Sequence, residues 1–396
     1  MKAPIVIIGS GLAGFGIARA IRRLDADCEL IMICTDNGAN YSKPQLSTAL
    51  FAKKTASDLV MNSAAEMGNE LRMQMIVRTQ VTKIDSENSQ LSTDKGHTIQ
   101  YSQLVLATGS SARKLQLEGD SNDALISVNS LKDYHYFQGQ LQGKKDILVI
   151  GGGLIGCEFS NDLLTSGHQV KLVEPCARLI NVLVPPQVSL RLEQAFEKNG
   201  AQLHLGRCAK AVNKVDGGYR VTLDNGESLN CELVVSAVGV VSNIDIAKES
   251  GLKVNRGIVV NRHLQTSVEN IYAIGDCCEL EGRVLPYVAP ILAGCKALAA
   301  TLTGSPTEVI YPAMPISIKT SIFPVAAAPV PLGADGSWSV EEDSDGIKAT
   351  FEKSNGELLG MALGGNAIKF RGPLSKQLPP VMPACTATCI NKSADN

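Results

Sequence analysis

The residues with the clearest chemistry are glycines. Gly9, Gly11 and Gly14, in "VIIGSGLAG", have the spacing GxGxxG directly after an apolar run and ahead of a helical pattern. In that setting the first glycine permits a tight turn, and the second lets the backbone approach a pyrophosphate. The third lets the helix pack closely on the strand. The helix N-terminus, entered through Leu12 and Ala13, then faces the phosphate charge. Gly151, Gly153 and Gly156, with Leu154 and Ile155 between the last two, repeat the arrangement in "VIGGGLIG". The chain therefore carries two candidate dinucleotide sites.

Carboxylates follow both loops, at different places. Glu174 ends the strand "HQVKLVEP", 18 residues after Gly156. A carboxylate there accepts hydrogen bonds from an adenosine ribose and repels a 2′-phosphate, which favours NADH over NADPH. Arg178 lies nearby, but no basic pair follows the strand. In the first copy the corresponding place in "IMICTDNG" falls on Cys34 or Thr35, and the nearest carboxylate is Asp36. Thr35 and Asp36 are both retained as candidates for the ribose contact. Asp276 closes "NIYAIGD", where a strand ending in Gly-Asp can aim a carboxylate at sugar-like hydroxyls. Glu158 stands two residues past the third glycine of the second loop and is read into the first helical turn, where a carboxylate suits the helix dipole. "NYSKPQLS" (40–47) brings Lys43 and Pro44, and no cysteine, to the neighbourhood of the first loop.

These groups need elements to hold them. "PIVIIGSGLAGFGIARAIRRL" reads as strand, glycine turn and helix, with "ELIMIC" as the next parallel strand. Residues 36–60 read as loop. "QLVLATGS" (103–110) is a buried strand ending in the small residues Ala107, Thr108 and Gly109. The pattern restarts at "DILVIGGGLIGCEFSNDLLTSG" (146–167), and "ELVVSAVG", closing on Gly239, echoes "QLVLATG". "NIYAIGDCCEL" (270–280) reads as one more apolar strand. "PILAGCKALAATLTG" (290–304) reads as a helix started by proline and stopped by glycine. Beyond Tyr311, "SWSVEE", "IKATFEK" and "LLGMALGG" read as antiparallel strands. The expected fold is α/β, with two Rossmann-like dinucleotide-binding domains and a small C-terminal α+β domain. The expected divisions are 1–112 and 245–309 for the first domain, 113–244 for the second, 310–382 for the third, and 383–396 as a disordered tail.

Composition narrows the function. The 396-residue chain has a formal net charge of −2, so no basic field argues for nucleic acid. No run approaches the ~18 apolar residues of a membrane span. The protein is expected to be soluble and cytoplasmic. Its eleven cysteines are irregularly spaced without a CxxC pair. No metal site is expected, and the thiols read as reduced and mostly buried.

The N-terminal loop, the "LATG" strand and Asp276 together resemble the FAD-binding half of the flavoprotein reductases that hold two dinucleotides. The match is closer still in "YSKPQLS", "GGLIGCEFSNDL", "NRGIVVNRHLQTSVENIYAIGDC", "LPYVAPILAGCKALAATL" and "YPAMPISIKT". These segments resemble the NADH:rubredoxin reductases of hydrocarbon-degrading bacteria, from residue 4 to about 380. The resemblance implies FAD and NADH as cofactors. It implies hydride transfer from NADH to the flavin, then single electrons to rubredoxin, an acidic iron protein, feeding an alkane hydroxylase. It places the 9–14 loop at the FAD pyrophosphate and Asp276 at the ribityl chain. It sets Lys43 and Glu158 beside the isoalloxazine and gives both a catalytic role. Val81 becomes a backbone contact on the adenine side, Val288 the start of a helix aimed at the flavin pyrimidine, and Lys319 a contribution from the third domain. Where the family commonly has arginine this chain has Lys296, which keeps the charge but not the guanidinium fork. Lys43, Lys319, Lys296 and Arg283 are the candidates for a basic rim. The oligomeric state stays open, with a monomer favoured.

Other readings compete. Ferredoxins or flavorubredoxins are alternative acceptors on this scaffold. A disulfide reductase needs a reactive thiol by the flavin, which "NYSKPQLS" does not supply. Cys277 and Cys278 read as packed thiols, and the "CTATC" pair Cys385 and Cys389 as coincidence. A redox-controlled interaction protein of the apoptosis-inducing-factor type shares the fold but carries long extra segments.

Overall fold

The computed structural model describes residues 3–383. Cys385, Cys389 and all but the first residue of the expected tail lie outside the described residues.

Runs such as "IVII" and "LIMI" have no polar face, and such strands are stable only in a parallel sheet covered on both sides. The first sheet is of this kind, in the order Ile271–Ala273, Gln103–Leu106, Ile5–Ile8, Leu30–Ile33, Gln74–Ile76. Its pairs are parallel, with Ile8 standing between Leu106 and Ile33. The segments after Ile8, Ile33 and Leu106 therefore leave the sheet side by side at its carboxyl edge, where ligands bind in open α/β sheets. The second sheet repeats the plan as Leu125–Ile126, Leu233–Ser236, Asp146–Ile150, Gln169–Glu174, Gln202–Leu205. Here Ile150 stands between Ser236 and Val173. The strand Ile271–Ala273 follows the second sheet in the chain yet completes the first one.

Five antiparallel strands form the C-terminal sheet, ordered Ile316–Ile318, Val325–Ala328, Leu358–Gly365, Gly346–Glu352, Ser337–Glu342. One face, with Ile318, Val325 and Ile347, packs on Leu183, Leu192 and Phe196 beside the second parallel sheet. The fold is α/β, as the sequence implies. Among the described residues no helix is long and apolar enough to cross a membrane.

Three local readings change. "NIYAIGDCCEL" is not one strand: Gly275, at φ +85°, turns the chain, and Cys278–Leu280 pairs instead with Ile258–Val260. Residues 36–60 are not all loop, since Lys43–Thr48 is a 3-10 helix that buries Leu46 and Ser47. The late helix runs Val288–Leu302 rather than 290–304. Its proline sits inside the first turn, where backbone N–H groups have no helical partner, so the missing donor costs nothing.

The helix Leu154–Thr165 joins the pieces. Glu158, Asn161 and Asp162 are spaced i, i+3, i+4 and share one buried face. Asp162 accepts from the Leu50 and Phe51 amides, each at 2.9 Å. Asn161 donates to Ser321 Oγ at 3.1 Å and accepts from the Ile322 amide at 3.0 Å. One polar face thus docks both the segment after the 3-10 helix and the C-terminal sheet.

Burial pushes the Asp162 carboxyl up to about 6, against the pull of its two amide donors. The folded value lies above the unfolded one, so this group's contribution to stability is fully present below about pH 4 and is lost as pH rises through about 6. The stability of the wild type relative to Asp162→Asn should therefore fall by about 2–3 kcal/mol between pH 4 and 7. Chemical denaturation at the two pH values checks this; a constant difference would contradict it.

Candidate active site

The two glycine loops are built alike. Gly9 has φ +113°, and a Cβ there would strike the Ala107 carbonyl oxygen, while one on Gly14 would strike the Gly9 carbonyl oxygen. Gly151, at φ +108°, and Gly156 stand in the same relation to Ala237 and Gly151. By contrast, a Cβ on Gly11 or Gly153 would meet nothing within 4 Å. The outer glycines are thus required by protein packing, and the middle ones leave open space at a helix start. Gly11 and Gly153 cap helices that have neither a side-chain cap nor an acidic residue in the first turn. The orphan N–H groups of those turns fit a pyrophosphate. Leu12, Ala13, Leu154 and the 43% exposed Ile155 lie in these first turns.

Register shows how the two copies diverge. Ile8 pairs with Ile33 and Ile150 with Val173, so Cys34 occupies the place that Glu174 holds in the second copy. Glu174 accepts from the Gly152 amide at 2.6 Å and the Cys176 amide at 2.8 Å. Burial pushes the Cys34 thiol up to about 12, so it stays neutral. Asp36, two residues on, takes over the loop contact: it accepts from Ser10 Oγ at 3.0 Å and from the Gly38 amide at 2.9 Å. Thr35 is exposed beside it. The Thr79 and Arg78 amides donate to the Cys34 and Asp36 carbonyls at 2.9 and 2.8 Å. This brings the strand that starts at Val81 to the same edge.

A second cluster lies where the strands ending in "LATG" and "NIYAIGD" come together. Asp276 accepts from Ser110 Oγ at 2.8 Å, and Lys43 Nζ stands 3.9 Å from the same carboxylate oxygen. Burial holds the Lys43 ammonium below its ordinary range, with Asp276 opposing the shift. Ala107 is tied to Ile8 by its amide, and Thr108 exchanges hydrogen bonds with Asn243 at 2.8 Å in both directions. Gly109 has φ +67°. Gly239, at φ +95°, accepts from the Arg113 amide at 2.9 Å where the chain crosses between the two sheets. Sequence reasoning missed Ser110, Asn243 and Ser242, whose Oγ donates to the Asp276 carbonyl at 2.7 Å. Their signal was available: small polar residues follow both echoing strands within a few positions, in "TGSS" and "GVVSN".

Glu158 is the fifth residue of its helix, not in the first turn as expected, so its role is not dipole compensation. Its side chain is 1% exposed. It accepts from Ser47 Oγ at 2.5 Å and the Lys319 amide at 2.9 Å, and forms an ion pair with Lys319 Nζ at 2.7 Å. The Lys319 ammonium also donates to Ser47 Oγ at 2.9 Å and to the Pro44 carbonyl. Two hydrogen bonds and an ion pair hold the ammonium. Lys319 is thus an internal clamp rather than a free rim cation. Ser47 is a further residue that sequence reasoning missed. Lys296 is exposed on the helix that Val288 begins, and Arg283, also exposed, donates to the Val381 carbonyl at 3.0 Å.

Six of the nine described cysteines are buried. Burial raises the Cys277 and Cys278 thiols, which makes them poor nucleophiles. Among the described residues no group of three or more His, Cys, Asp or Glu is placed to hold a metal.

Lys319→Met would strand the Glu158 carboxylate. Because Lys319 is partly exposed, the expected loss is about 1–3 kcal/mol rather than the full cost of a buried pair. Glu158→Gln in the same chain should recover part of it. A double-mutant cycle by chemical denaturation measures the coupling, and a coupling near zero would deny the clamp.

Comparison with known proteins agrees with this geometry. Residues 3–294 match the pyridine nucleotide-disulphide oxidoreductase family, and residues 308–378 match the rubredoxin binding C-terminal domain. The chain is 44% identical to a rubredoxin-NAD(+) reductase of Alcanivorax borkumensis, over 96% of this chain and 100% of that one. It is 39% identical to a nitric oxide reductase FlRd-NAD(+) reductase of Aliivibrio fischeri, over 96% and 99% of the two chains. Among solved structures, a ferredoxin reductase of Rhodopseudomonas palustris superposes with a TM-score of 0.86 at 26% identity, covering 96% of each chain. The chain belongs to the pyridine nucleotide-disulphide oxidoreductase family, and its C-terminal sheet lies within the segment that matches the rubredoxin binding domain.

Proposed function

We propose that the protein is an FAD-dependent NADH:rubredoxin reductase. The observation that carries this reading is the combination of two glycine-loop sites with a C-terminal segment, 308–378, that matches a rubredoxin binding domain. The segment Lys43–Thr48 offers no thiol to intercept electrons on the way. Bound FAD and NADH would supply the hydride transfer and the one-electron steps to an external acceptor.

The chain's own residues bind, orient and shield. The 9–14 loop and Asp276 hold FAD, with residues 1–112 and 245–309 as its domain. The loop 151–156 and Glu174 hold NADH within residues 113–244. Asp276, with Ser110 and Lys43 beside it, presents a carboxylate, a hydroxyl acceptor and an ammonium donor to a polyol chain. The helix Val288–Leu302 has no side-chain cap at its start, so its free N–H groups can face negative charge on the isoalloxazine. Pro44, Ser47, Glu158 and Lys319 tie the segment after the first loop to the second unit and so fix the approach of the two rings, which supplies much of the rate. No side chain is required as a general acid or base. Arg283 and Lys296 provide the cationic rim for an acidic iron protein, which serves an alkane hydroxylase. The mostly buried thiols suit a reducing compartment such as the cytoplasm.

A second reading, reduction of a flavorubredoxin, is supported by the relative at 39% identity. Acceptor comparison separates the two. NADH should bleach the visible flavin absorbance, and rubredoxin should then sustain turnover that neither a flavorubredoxin nor a 2Fe–2S ferredoxin matches; faster turnover with the flavorubredoxin would favour the second reading. Turnover should fall with added salt. Lys43→Ala should weaken FAD retention or slow bleaching by about tenfold. Reductive titration should take two electrons per flavin; four would reveal a working disulfide and overturn the reading.

A further inference from the structure

Selectivity for NADH is attributed above to Glu174 alone, yet a second acidic residue lies close by. Segment 174–180 starts and ends on the second glycine loop: the Gly152 amide donates to Glu174 Oε2 at 2.6 Å, and the Ile180 amide donates back to the Gly152 carbonyl at 2.9 Å. Arg178 is carried in this short excursion. Its Nη1 donates to Glu193 Oε2 at 2.8 Å, while the Leu179 amide donates to Glu193 Oε1 at 3.0 Å. Glu193 projects from the helix Pro186–Lys198, and its side chain is 4% exposed, against 41% for Arg178. The buried partner therefore has few other ways to be solvated, and the arginine is held by it. Arg207, also next to Glu174 through its amide, turns its guanidinium toward the Gly206 carbonyl.

A guanidinium beside the ribose is the group that a 2′-phosphate would need. Here that charge is already neutralised from below. We propose that Glu193 is a specificity-determining residue that acts through Arg178, withholding from the adenosine site the cation that would admit NADPH. This rests on the reading that the second loop binds NADH. It goes beyond that reading in making the exclusion of NADPH a two-part device: Glu174 repels the phosphate, and Glu193 removes its partner.

The test uses the full-length FAD-loaded protein with ferricyanide as acceptor, and compares kcat/KM for NADPH and NADH. In a Glu174→Ser background, Glu193→Gln keeps an oxygen for the Leu179 amide but frees Arg178. The ratio of NADPH to NADH efficiency should then rise by about tenfold. In the same background Glu193→Gln combined with Arg178→Gln removes both charges of the pair and strands neither, so it should leave NADPH efficiency within about twofold of that background. No gain from Glu193→Gln in protein that retains FAD overturns the proposal. So does a loss of about tenfold in NADPH efficiency in the combined variant relative to that background, since the paired arginine would then already have been serving the phosphate; this variant strands no charge and decides the matter even where Glu193→Gln alone fails to fold. Failure of the unmodified protein to oxidise NADH would overturn the underlying functional reading instead.

Discussion

The arrangement depends on one buried carboxylate. Glu158 lies in the helix that begins at the second glycine loop, and it is satisfied only by groups from two other parts of the chain, Ser47 and Lys319. An ion of this burial is tolerable only when paired and hydrogen-bonded, and removal of any partner leaves a costly charge. The relative placement of the two parallel sheets and the C-terminal sheet is thus tied to a single electrostatic requirement. Asn161 and Asp162, one turn on, extend the same face with four more hydrogen bonds. A helix with this much buried polar surface would be unstable alone and becomes stable only as a junction.

That constraint serves function directly. In the proposed reading two bound dinucleotides would react only with their rings held in register, and each would be positioned by its own sheet. A rigid contact between the sheets is therefore part of the chemistry, even though Asp162 and Asn161 need touch neither ligand. It also assigns the lysines. Lys43 faces Asp276 in the first unit, whereas Lys319 spends its donors inside the junction, leaving Arg283 and Lys296 as outward-facing cations.

Duplication and divergence explain the asymmetry of the two sites. Both loops have the same glycine geometry, down to the open space above Gly11 and Gly153. The copies then part at the end of the second strand. One keeps a glutamate at the sheet edge, bonded to its own loop, and the other buries a neutral thiol and recruits an aspartate two residues later. In the proposed reading the acidic group meets sugar hydroxyls in both cases, and the backbone supplies it from different positions.

Much of this was legible in the residues themselves. The glycine spacings, the apolar runs and Glu174 determine two doubly wound units and two sites, because backbone sterics and parallel-sheet burial act locally. The antiparallel texture beyond residue 310 was legible for the same reason. Other features depend on which distant segments meet. Gly275 splits what looks like one strand, Pro290 sits inside a helix rather than starting it, and Lys43–Thr48 winds into a 3-10 turn, each decided by packing against remote elements. The partners of Glu158, the Ser110–Asp276 contact and the Arg178–Glu193 pair join residues far apart in sequence or on opposite sides of a loop. No periodicity encodes such pairings, since they arise only when the sheets have closed and each buried charge must find its counterpart.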